Sequence, residues 1–169
     1  MAVAGPGAPT DELLFELAGA RMALAAGLVS EVIRAVEIEP LPQAPAVVSG
    51  VINVRGSLTP VIDLRRRLGF AAKELSPEDH FIVADCGPRR VALHVDRALD
   101  LLSIRELTIE PLAQEAASPY IAGALALPDG VLVIYDLAKF LSESEAATLN
   151  LALQPLAVAQ HELIQERPA

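Results

Sequence analysis

The stretch GVINVRGSLTPVIDLRRRLG, residues 50–69, decides how this chain folds. Two runs within it, residues 51–54 and 61–64, are rich in valine and isoleucine, which favour β-strands. Between the runs, Arg55-Gly56-Ser57 predicts a tight turn, because glycine adopts backbone angles that other residues resist. The pattern therefore predicts a β-hairpin that displays the guanidinium group of Arg55, and it contains no obvious reaction chemistry.

Short elements precede and follow this hairpin. Residues 13–17 and 21–26 predict two strands joined by a glycine-containing turn. Residues 28–38 (LVSEVIRAVEI) are ambiguous, since their apolar spacing suits an amphipathic helix whereas their β-branched content favours a strand. Residues 64–70 predict a short helical turn that ends at Gly69.

The layout of residues 13–38 recurs in residues 81–104. Both contain an apolar strand, a turn with glycine, a second strand with Ala-Leu, and an apolar and acidic run. The segments that follow also correspond, because VVSGVINVRGSLTPVIDL parallels YIAGALALPDGVLVIYDL. A repeat of roughly seventy residues implies two similar units. Each has about five short strands, too few for a stable open sheet but enough for a closed barrel. The matched positions are Ala23-Leu24 with Ala92-Leu93, and Gly50, Asp63, Leu64 and Leu68 with Gly123, Asp136, Leu137 and Leu141.

The predicted fold is therefore mainly β, with two small five-stranded barrels packed together and a C-terminal helix. Residues 1–11 are predicted to be a flexible leader, residues 12–142 the domain built of two barrels, and residues 143–169 a helical tail. Ser142 begins this tail with a capping-box pattern, since a Glu follows three residues later. Pro155 is predicted to kink or end the helix, with a second helical piece after it.

Composition limits the function classes that this chain can serve. Apolar residues make up 53% of its 169 residues but aromatic residues only 4%, so the core must be aliphatic. Thirteen Pro and ten Gly argue against an all-helical bundle. The net charge of −9 disfavours nucleic acid and anionic membrane surfaces as partners. No apolar run reaches the ~18 residues that span a bilayer, so direct membrane insertion is not expected. A single cysteine cannot form an internal disulfide, which fits a reducing cytoplasm.

No constellation of residues predicts an enzyme. The three histidines, His80, His94 and His161, lack metal-ligand spacing. Cys86 lies at a predicted hairpin turn with no base identified near it, which disfavours a nucleophilic role. We therefore predict a protein that is not an enzyme and that uses no cofactor and no metal.

Asp63 and Asp136 suggest a catalytic carboxylate pair at first sight. Each, however, precedes a leucine at the same position of the repeat. This symmetry favours a structural role, in which each carboxylate accepts backbone N–H groups at the start of the helix that follows. We therefore group them with Gly50, Gly56 and Gly123 as predicted turn and scaffold residues.

These residues together resemble the CheW family, the coupling proteins of bacterial chemosensory arrays. The resemblance covers residues 12–142 and is carried by LLFELAGARMALA, VSEVIR, VALHVDRALDL and YIAGALALPDGVLVIYDLAKFL. Its most specific part is the proline-rich connector that leads into G-x-x-N-x-R-G-x-x-x-P-x-x-D-L. The tail after residue 142 departs from the common pattern, because it is longer and rich in Ala and Leu.

The resemblance implies two five-stranded SH3-like barrels around a shared apolar interface. It also implies a non-catalytic adaptor that couples chemoreceptors to a CheA-type histidine kinase in bacterial chemotaxis or related chemosensory signal transduction. The expected partners are the regulatory domain of that kinase and the cytoplasmic tip of methyl-accepting chemoreceptors. The expected location is the cytoplasm, with recruitment to membrane-associated receptor arrays.

The resemblance further assigns roles to individual residues. The Arg of the N-x-R-G motif lies at the receptor contact in the family, and here it is Arg55. A receptor tip is a helical hairpin, so an apolar groove flanked by this Arg would accept an apolar helix face and pair one charge. The V-x-E-V stretch also faces receptors, and the kinase contact is expected at apolar exposed positions of the second barrel. The residues concerned are Val29, Glu31 and Val32 for receptors and Ala98, Leu101 and Leu102 for the kinase.

Other interpretations of the same residues exist. The apolar candidates also fit ordinary core positions, and Arg55 also fits a solvated turn. A small-ligand-binding sensor module would instead use a cleft between the two barrels. The low aromatic content counts against such a module, since ligand pockets usually have aromatic walls.

Overall fold

The computed structural model describes residues 10–104 and 119–166. Within these residues it contains ten β-strands, one short α-helix, two 3-10 turns (Ala26–Leu28 and Leu137–Lys139) and one long C-terminal α-helix. The strands are β1 (Thr10–Leu17), β2 (Ala20–Ala25), β3 (Val29–Arg34), β4 (Val48–Val54), β5 (Ser57–Asp63), β6 (His80–Cys86), β7 (Arg89–Val95), β8 (Arg97–Ile104), β9 (Ile121–Leu127) and β10 (Gly130–Tyr135), and the helices are α1 (Leu64–Leu68) and α2 (Glu143–Glu166).

The strands form two five-stranded sheets, which correspond to the two barrels. One sheet has the order β3-β6-β7-β5-β4 and uses strands that are consecutive in the sequence, so we name it the contiguous barrel. The other has the order β8-β1-β2-β10-β9 and combines strands from both ends of the chain, so we name it the split barrel. The predicted mainly β fold with two five-stranded units and a C-terminal helix is confirmed.

The two repeats exchange their first hairpins. The first repeat runs from β1 to β5, yet its β1–β2 hairpin lies in the split barrel, where β2 pairs in parallel with β10. The second repeat runs from β6 to β10, and its β6–β7 hairpin lies in the contiguous barrel, where β7 pairs in parallel with β5. The prediction that each repeat closes into its own barrel is therefore wrong. Local strand patterns are the same in either arrangement, and only the long-range pairing distinguishes them.

The largest hydrophobic cluster lies between the two barrels and includes Leu149 of α2. Each barrel also encloses a small cluster of its own, with Ala23 in the split barrel and Ala92 in the contiguous barrel. The next residues, Leu24 and Leu93, belong to the shared cluster. Successive side chains of a strand point to opposite faces. In each Ala-Leu pair the alanine therefore faces the narrow interior of a barrel, and the leucine faces the interface that the two barrels share.

The ambiguous segment 28–38 contains a strand, β3, in which half-buried and exposed residues alternate. Its β-branched content therefore prevails over the helical spacing. Beyond β3, Glu39 exchanges two backbone hydrogen bonds with Val51 of β4, at 2.9 and 2.8 Å. These bonds join the two edges of the sheet and close the contiguous barrel.

Gly50 lies where this closure is tightest. A Cβ atom at this position would be 2.1 Å from the carbonyl oxygen of Glu39 and 2.7 Å from Cγ2 of Ile38. No side chain fits in that space, because one of the obstacles is backbone. Glycine is therefore required here for the close approach of two backbone segments.

Two aspartates begin the helical segments that follow the hairpins β4–β5 and β9–β10. Asp63 Oδ1 accepts the backbone N–H of Arg66 at 3.1 Å and caps α1. Asp136 Oδ1 accepts the backbone N–H of Ala138 at 3.1 Å and caps a 3-10 turn, Leu137–Lys139. The two carboxylates thus make the same kind of N-cap bond at equivalent positions of the repeat.

Helix α2 begins with a reciprocal cap and packs on the barrels. The Ser142 hydroxyl accepts the N–H of Glu145 at 3.1 Å, and the Glu145 carboxylate accepts the N–H of Ser142 at 2.9 Å. Of the two outcomes predicted for Pro155, a kink or an end of the helix, the end is wrong, because α2 continues to Glu166. The carbonyl that loses its intrahelical donor to this proline belongs to Leu151, whose side chain is on the exposed side of the helix.

The proposed division of the chain into leader, domain and tail stays a prediction. Residues 1–9 of the leader lie outside the described residues, and residues 10 and 11 belong to β1. Helix α2 occupies most of the predicted tail. Among the helices of the described part of the chain, none is long and apolar enough to cross a bilayer.

Candidate partner-binding surface

The turn between β4 and β5 has two residues, since Val54 pairs directly with Ser57. Both turn residues have positive φ, +50° at Arg55 and +85° at Gly56. Two-residue hairpin turns favour such backbone angles because their twist matches that of the strands. The side chain of Asn53 supports the turn, as its Oδ1 accepts the Gly56 N–H at 2.7 Å. The sequence N-x-R-G therefore fixes the backbone from which the Arg side chain projects.

Arg55 and Glu31, two of the predicted receptor-contact residues, are brought together by the fold. Arg55 Nε donates to Glu31 Oε2 at 2.9 Å and to Oε1 at 3.3 Å. The Arg55 side chain is 84% exposed, whereas that of Glu31 is 22% exposed. An exposed pair of this kind adds little to stability. Its main effect is to orient a guanidinium group that stays accessible to a partner.

The two valines of the V-x-E-V stretch differ in accessibility. Val32 is exposed on the outer face of β3. Val29 is half-buried and packs against the core between the barrels. Of these two side chains, Val32 is the one available for contact with a partner.

A small notch of about 170 Å³ lies beside the Arg55–Glu31 pair. Arg90 also lines it, and this residue forms a second exposed ion pair with Asp85 at 3.3 Å. The face around the β4–β5 turn therefore carries two accessible arginines on a chain whose net charge is −9. The remaining lining residues are Ser30, Val54, Ser57, Thr59 and Val83.

A larger groove of about 690 Å³ lies between the same turn and helix α2. Arg89 of β7 lines it and donates a hydrogen bond from Nη2 to Oδ1 of Asn150. Arg89 and Asn150 also line a neighbouring groove of about 560 Å³. This hydrogen-bonded pair therefore separates the two grooves. The other residues of the larger groove are Gly56, Ser57, Leu58, Leu153 and Gln154.

The predicted kinase-contact residues lie on β8, at one edge of the split barrel. Leu101 is 65% exposed. Ala98 is half-buried, and its N–H donates to His80 Nδ1 at 3.0 Å. Leu102 packs against the interior cluster of the split barrel. Of the three side chains, Leu101 is the one that the fold leaves on the surface.

Two carboxylates are buried within the described residues, one in each barrel, and their environments are opposite. Burial raises the pKa of Glu12 from 4.5 to about 7, and its Oε2 has no hydrogen-bond partner there. Burial also disfavours ionised Asp79, but hydrogen bonds from Lys73, His94 and the Ser76 N–H outweigh this, so the pKa of Asp79 is lowered. The distances are 2.6 Å to Lys73 Nζ, 2.8 Å to His94 Nε2 and 3.0 Å to the Ser76 nitrogen.

The remaining candidates for reaction chemistry have structural partners. Burial raises the pKa of the Cys86 thiol, and its Sγ donates to the Leu137 carbonyl at 3.0 Å. A buried thiol with a raised pKa is a poor nucleophile. In the part of the chain that the structure describes, no three His, Cys, Asp or Glu side chains are grouped to hold a metal ion.

The sequence did not single out Arg89, Arg90 or Asn150. Arg89 and Arg90 follow Gly87-Pro88 at a hairpin turn, and two basic residues beside a turn indicate an accessible cationic position. Asn150 carried no such signal, because its contact with Arg89 joins residues 61 positions apart.

Of the predicted scaffold residues, Gly56 lines the larger groove, and the other four lie outside the residues that line the two grooves and the notch. Gly50 and Gly123 lie buried in β4 and β9, and Asp63 and Asp136 cap the helical segments that follow. Gly56 lies in the turn itself.

Comparison with known proteins gives one consistent family. A family model described as the CheW-like domain matches residues 11–145. Over 112 residues the chain is 36% identical to the chemotaxis protein CheW of Rhizobium meliloti, covering 64% of this chain and 72% of that protein. Over 153 residues it is 30% identical to the chemotaxis protein CheW of Klebsiella aerogenes, covering 88% of this chain and 91% of that protein.

A solved structure agrees with these relatives. The crystal structure of the scaffolding protein TtCheW from Thermoanaerobacter tengcongensis superposes with a TM-score of 0.71 at 26% sequence identity. The match covers 82% of this chain and 96% of that protein. The predicted resemblance is confirmed, and this chain belongs to the CheW family.

Proposed function

We propose that this protein is a non-catalytic adaptor that couples chemoreceptors to a CheA-type histidine kinase. Membership of the CheW family supports a chemotaxis adaptor. The observation that carries the proposal to this chain is the ion pair between Arg55 of the β4–β5 turn and Glu31 of β3, which orients the guanidinium of a side chain that is 84% exposed. Such an arrangement serves recognition of a partner, because orientation reduces the entropy lost on binding.

The receptor contact is assigned to Arg55, Glu31 and Val32. Arg55 supplies an accessible charge, Glu31 orients it, and Val32 supplies exposed apolar surface on β3. An apolar helix face with one acidic residue would complement this surface. The kinase contact is assigned to β8, with Leu101 as the exposed apolar residue. Val29, Ala98 and Leu102 contribute by packing beneath these surfaces rather than by direct contact.

The adaptor is proposed to act in the cytoplasm, where kinase and receptor tips meet, and to reach the membrane by binding receptors. We propose residues 12–142 as the functional domain. The surfaces proposed for receptor and kinase are on different barrels, since β4–β5 belongs to the contiguous barrel and β8 to the split barrel. This separation allows both partners to bind at once.

A small-ligand sensor is the weaker candidate. That function needs a cleft between the barrels, but the described residues there form the largest hydrophobic cluster of the molecule. The two main grooves lie instead beside α2.

Replacing Arg55 with Ala tests the proposal. We expect receptor binding to weaken by about 1–3 kcal/mol, as for truncation of an interface anchor, while the melting temperature stays nearly unchanged because the lost ion pair is exposed. The measurement is co-sedimentation with receptor-containing membranes in the presence of the kinase.

The matched control is Arg21→Ala, which removes an exposed ion pair with Asp129 from the split barrel. Undiminished recruitment of the Arg55 variant would reject the role of this residue. If the unaltered protein bound neither receptor nor kinase, the adaptor function itself would be rejected.

A further inference from the structure

Arg89 differs in its partner from the arginines that surround it. Arg55 and Arg90 each lie within 4.0 Å of a carboxylate. Arg89 is half-buried, and its hydrogen bond goes to the neutral side-chain amide of Asn150. Within the described part of the chain it forms no ion pair. Its positive charge is therefore held in place without being neutralised.

This uncompensated charge is also poised to accept a carboxylate. A guanidinium group has five N–H donors in a planar fork, and Arg89 uses one of them on Asn150. The fork matches the two oxygens of a carboxylate. The groove that Arg89 lines is bounded by the turn that presents Arg55 and includes the half-buried apolar residues Leu58 and Leu153.

The second wall of the groove comes from a part of the chain beyond the family domain. The family match ends at residue 145, whereas Asn150, Leu153 and Gln154 lie on α2 after that point. Helix α2 is held against the barrels by buried Leu149 and by the bond between Arg67 and Glu145. The wall is therefore fixed in position, and its residues come from the segment that follows the family match.

From these observations we propose that a chemoreceptor helix extends from Arg55 into the groove beside α2 and places an acidic side chain on Arg89. This inference rests on the proposed function and adds a second contact to it. Apolar residues of the groove would receive the helix face, and Asn150 would position the guanidinium. The tail would then contribute to which receptors this adaptor accepts.

Two variants test the proposal by removing the same charge in different ways. Arg89→Gln removes the cation, and Asn150→Asp keeps it but supplies an internal carboxylate as competitor. We expect each to weaken binding of a cytoplasmic fragment of a chemoreceptor from the same genome by about tenfold. We also expect each to reduce the dependence of that binding on NaCl concentration, since one ion pair fewer is screened.

Each control variant makes the same change of charge as one test variant, but at a position outside the groove. Arg21→Gln removes an arginine from the split barrel, and Thr148→Asp adds a carboxylate to another exposed position of α2. Both should bind the receptor fragment within about twofold of the unaltered protein, as a distant exposed charge is screened. Retained capture by the kinase regulatory domain checks that every variant is folded.

The outcomes separate this inference from the function on which it rests. If Arg55→Ala weakens receptor binding while Arg89→Gln and Asn150→Asp do not, the groove contact is rejected and the adaptor function stands. If all variants and controls weaken binding alike, the effect is general electrostatics and the groove contact is again rejected. If the unaltered protein does not bind the fragment, the proposed function itself fails.

Discussion

The hairpins β4–β5 and β9–β10 occupy equivalent places in the two barrels but display opposite charges. Each has a two-residue turn, because Val54 pairs with Ser57 and Leu127 pairs with Gly130. In the contiguous barrel the turn carries Arg55, which pairs with an acid on β3. In the split barrel it carries Asp129, which pairs with Arg21 of β2 at 2.8 Å. The scaffold is shared, and the displayed group is what differs between the two barrels.

The parts that the hairpins share lie at their bases. Asp63 and Asp136 make equivalent cap bonds, and the leucines that follow them are both fully buried. A duplicated fold therefore keeps its caps and core positions while its turns diverge. Turn residues are free to diverge because they bury little surface, and they are the positions at which a partner can be recognised.

The largest expected effect would break the contiguous barrel. Gly50→Ala places a Cβ 2.1 Å from the Glu39 carbonyl oxygen, so the strand extension that closes the barrel must move. We expect a loss of at least about 3 kcal/mol in the free energy of unfolding, in the range of severe backbone and packing conflicts. Urea denaturation followed by circular dichroism measures it.

Gly56→Ala is the matched control, because Gly56 also has a positive φ but a Cβ there meets no atom within 4 Å. It should cost about 1 kcal/mol, from backbone strain alone. Equal losses for the two variants would show that the close approach to Glu39 is not what demands glycine.

The next largest effect concerns how stability depends on pH, and it distinguishes the two buried carboxylates, Glu12 and Asp79. The pKa of Glu12 is raised from 4.5 to about 7, so the folded split barrel binds a proton that the unfolded chain releases. Its stabilising contribution is full below about pH 4.5 and is lost as the pH rises through about 7. Glu12→Gln should therefore raise stability by about 2–3 kcal/mol at pH 9 relative to the unaltered chain, and change it little at pH 4.

Thermal unfolding across pH 4–9 measures this difference, and Glu16→Gln on the same strand is the control because Glu16 is 39% exposed. Parallel pH profiles for Glu12→Gln and the unaltered protein would contradict the assignment. The Asp79 carboxylate behaves in the opposite sense. Its pKa is lowered, so its contribution is present above its ordinary value and fades as the pH falls through the folded pKa.

The smallest expected effect tests whether the equivalent N-caps of the two repeats contribute equally to the free energy of unfolding. Asp63→Ala and Asp136→Ala each remove one N-cap acceptor at an equivalent position. Each should cost about 1 kcal/mol of stability, measured by chemical denaturation, and neither should alter receptor binding. A loss of receptor binding without a loss of stability would instead make one of these aspartates part of the recognition surface.

Much of this arrangement could be predicted from local sequence. The β-branched runs, the Arg55-Gly56 turn and the capping patterns act over a few residues, and they form as expected. The repeat also predicted two five-stranded barrels, since Ala23-Leu24 and Ala92-Leu93 occupy equivalent places. These features depend on spacing along the chain, which a single sequence contains.

The rest depends on contacts that no local pattern encodes. The exchange of hairpins is decided by which strands pair in parallel, and the same alternation of side chains serves either choice. The Arg89–Asn150 bond joins β7 to a helix 61 residues later. Helix α2 continues past Pro155, and the carbonyl that loses its hydrogen-bond donor there belongs to Leu151, on the side of the helix that faces solvent. Val29, for which both a partner contact and an ordinary core position were open, is half-buried and packs against the cluster between the barrels.

The exchanged hairpins have a consequence for how this protein can be divided. A cut between β5 and β6 would leave each half with strands that belong to both barrels, so neither fragment would contain a complete hydrogen-bonded sheet. Fragment complementation at that site would restore both barrels only when the two halves meet. The split barrel therefore cannot be obtained as one continuous segment of the chain, whereas all five strands of the contiguous barrel lie on a single segment from β3 to β7.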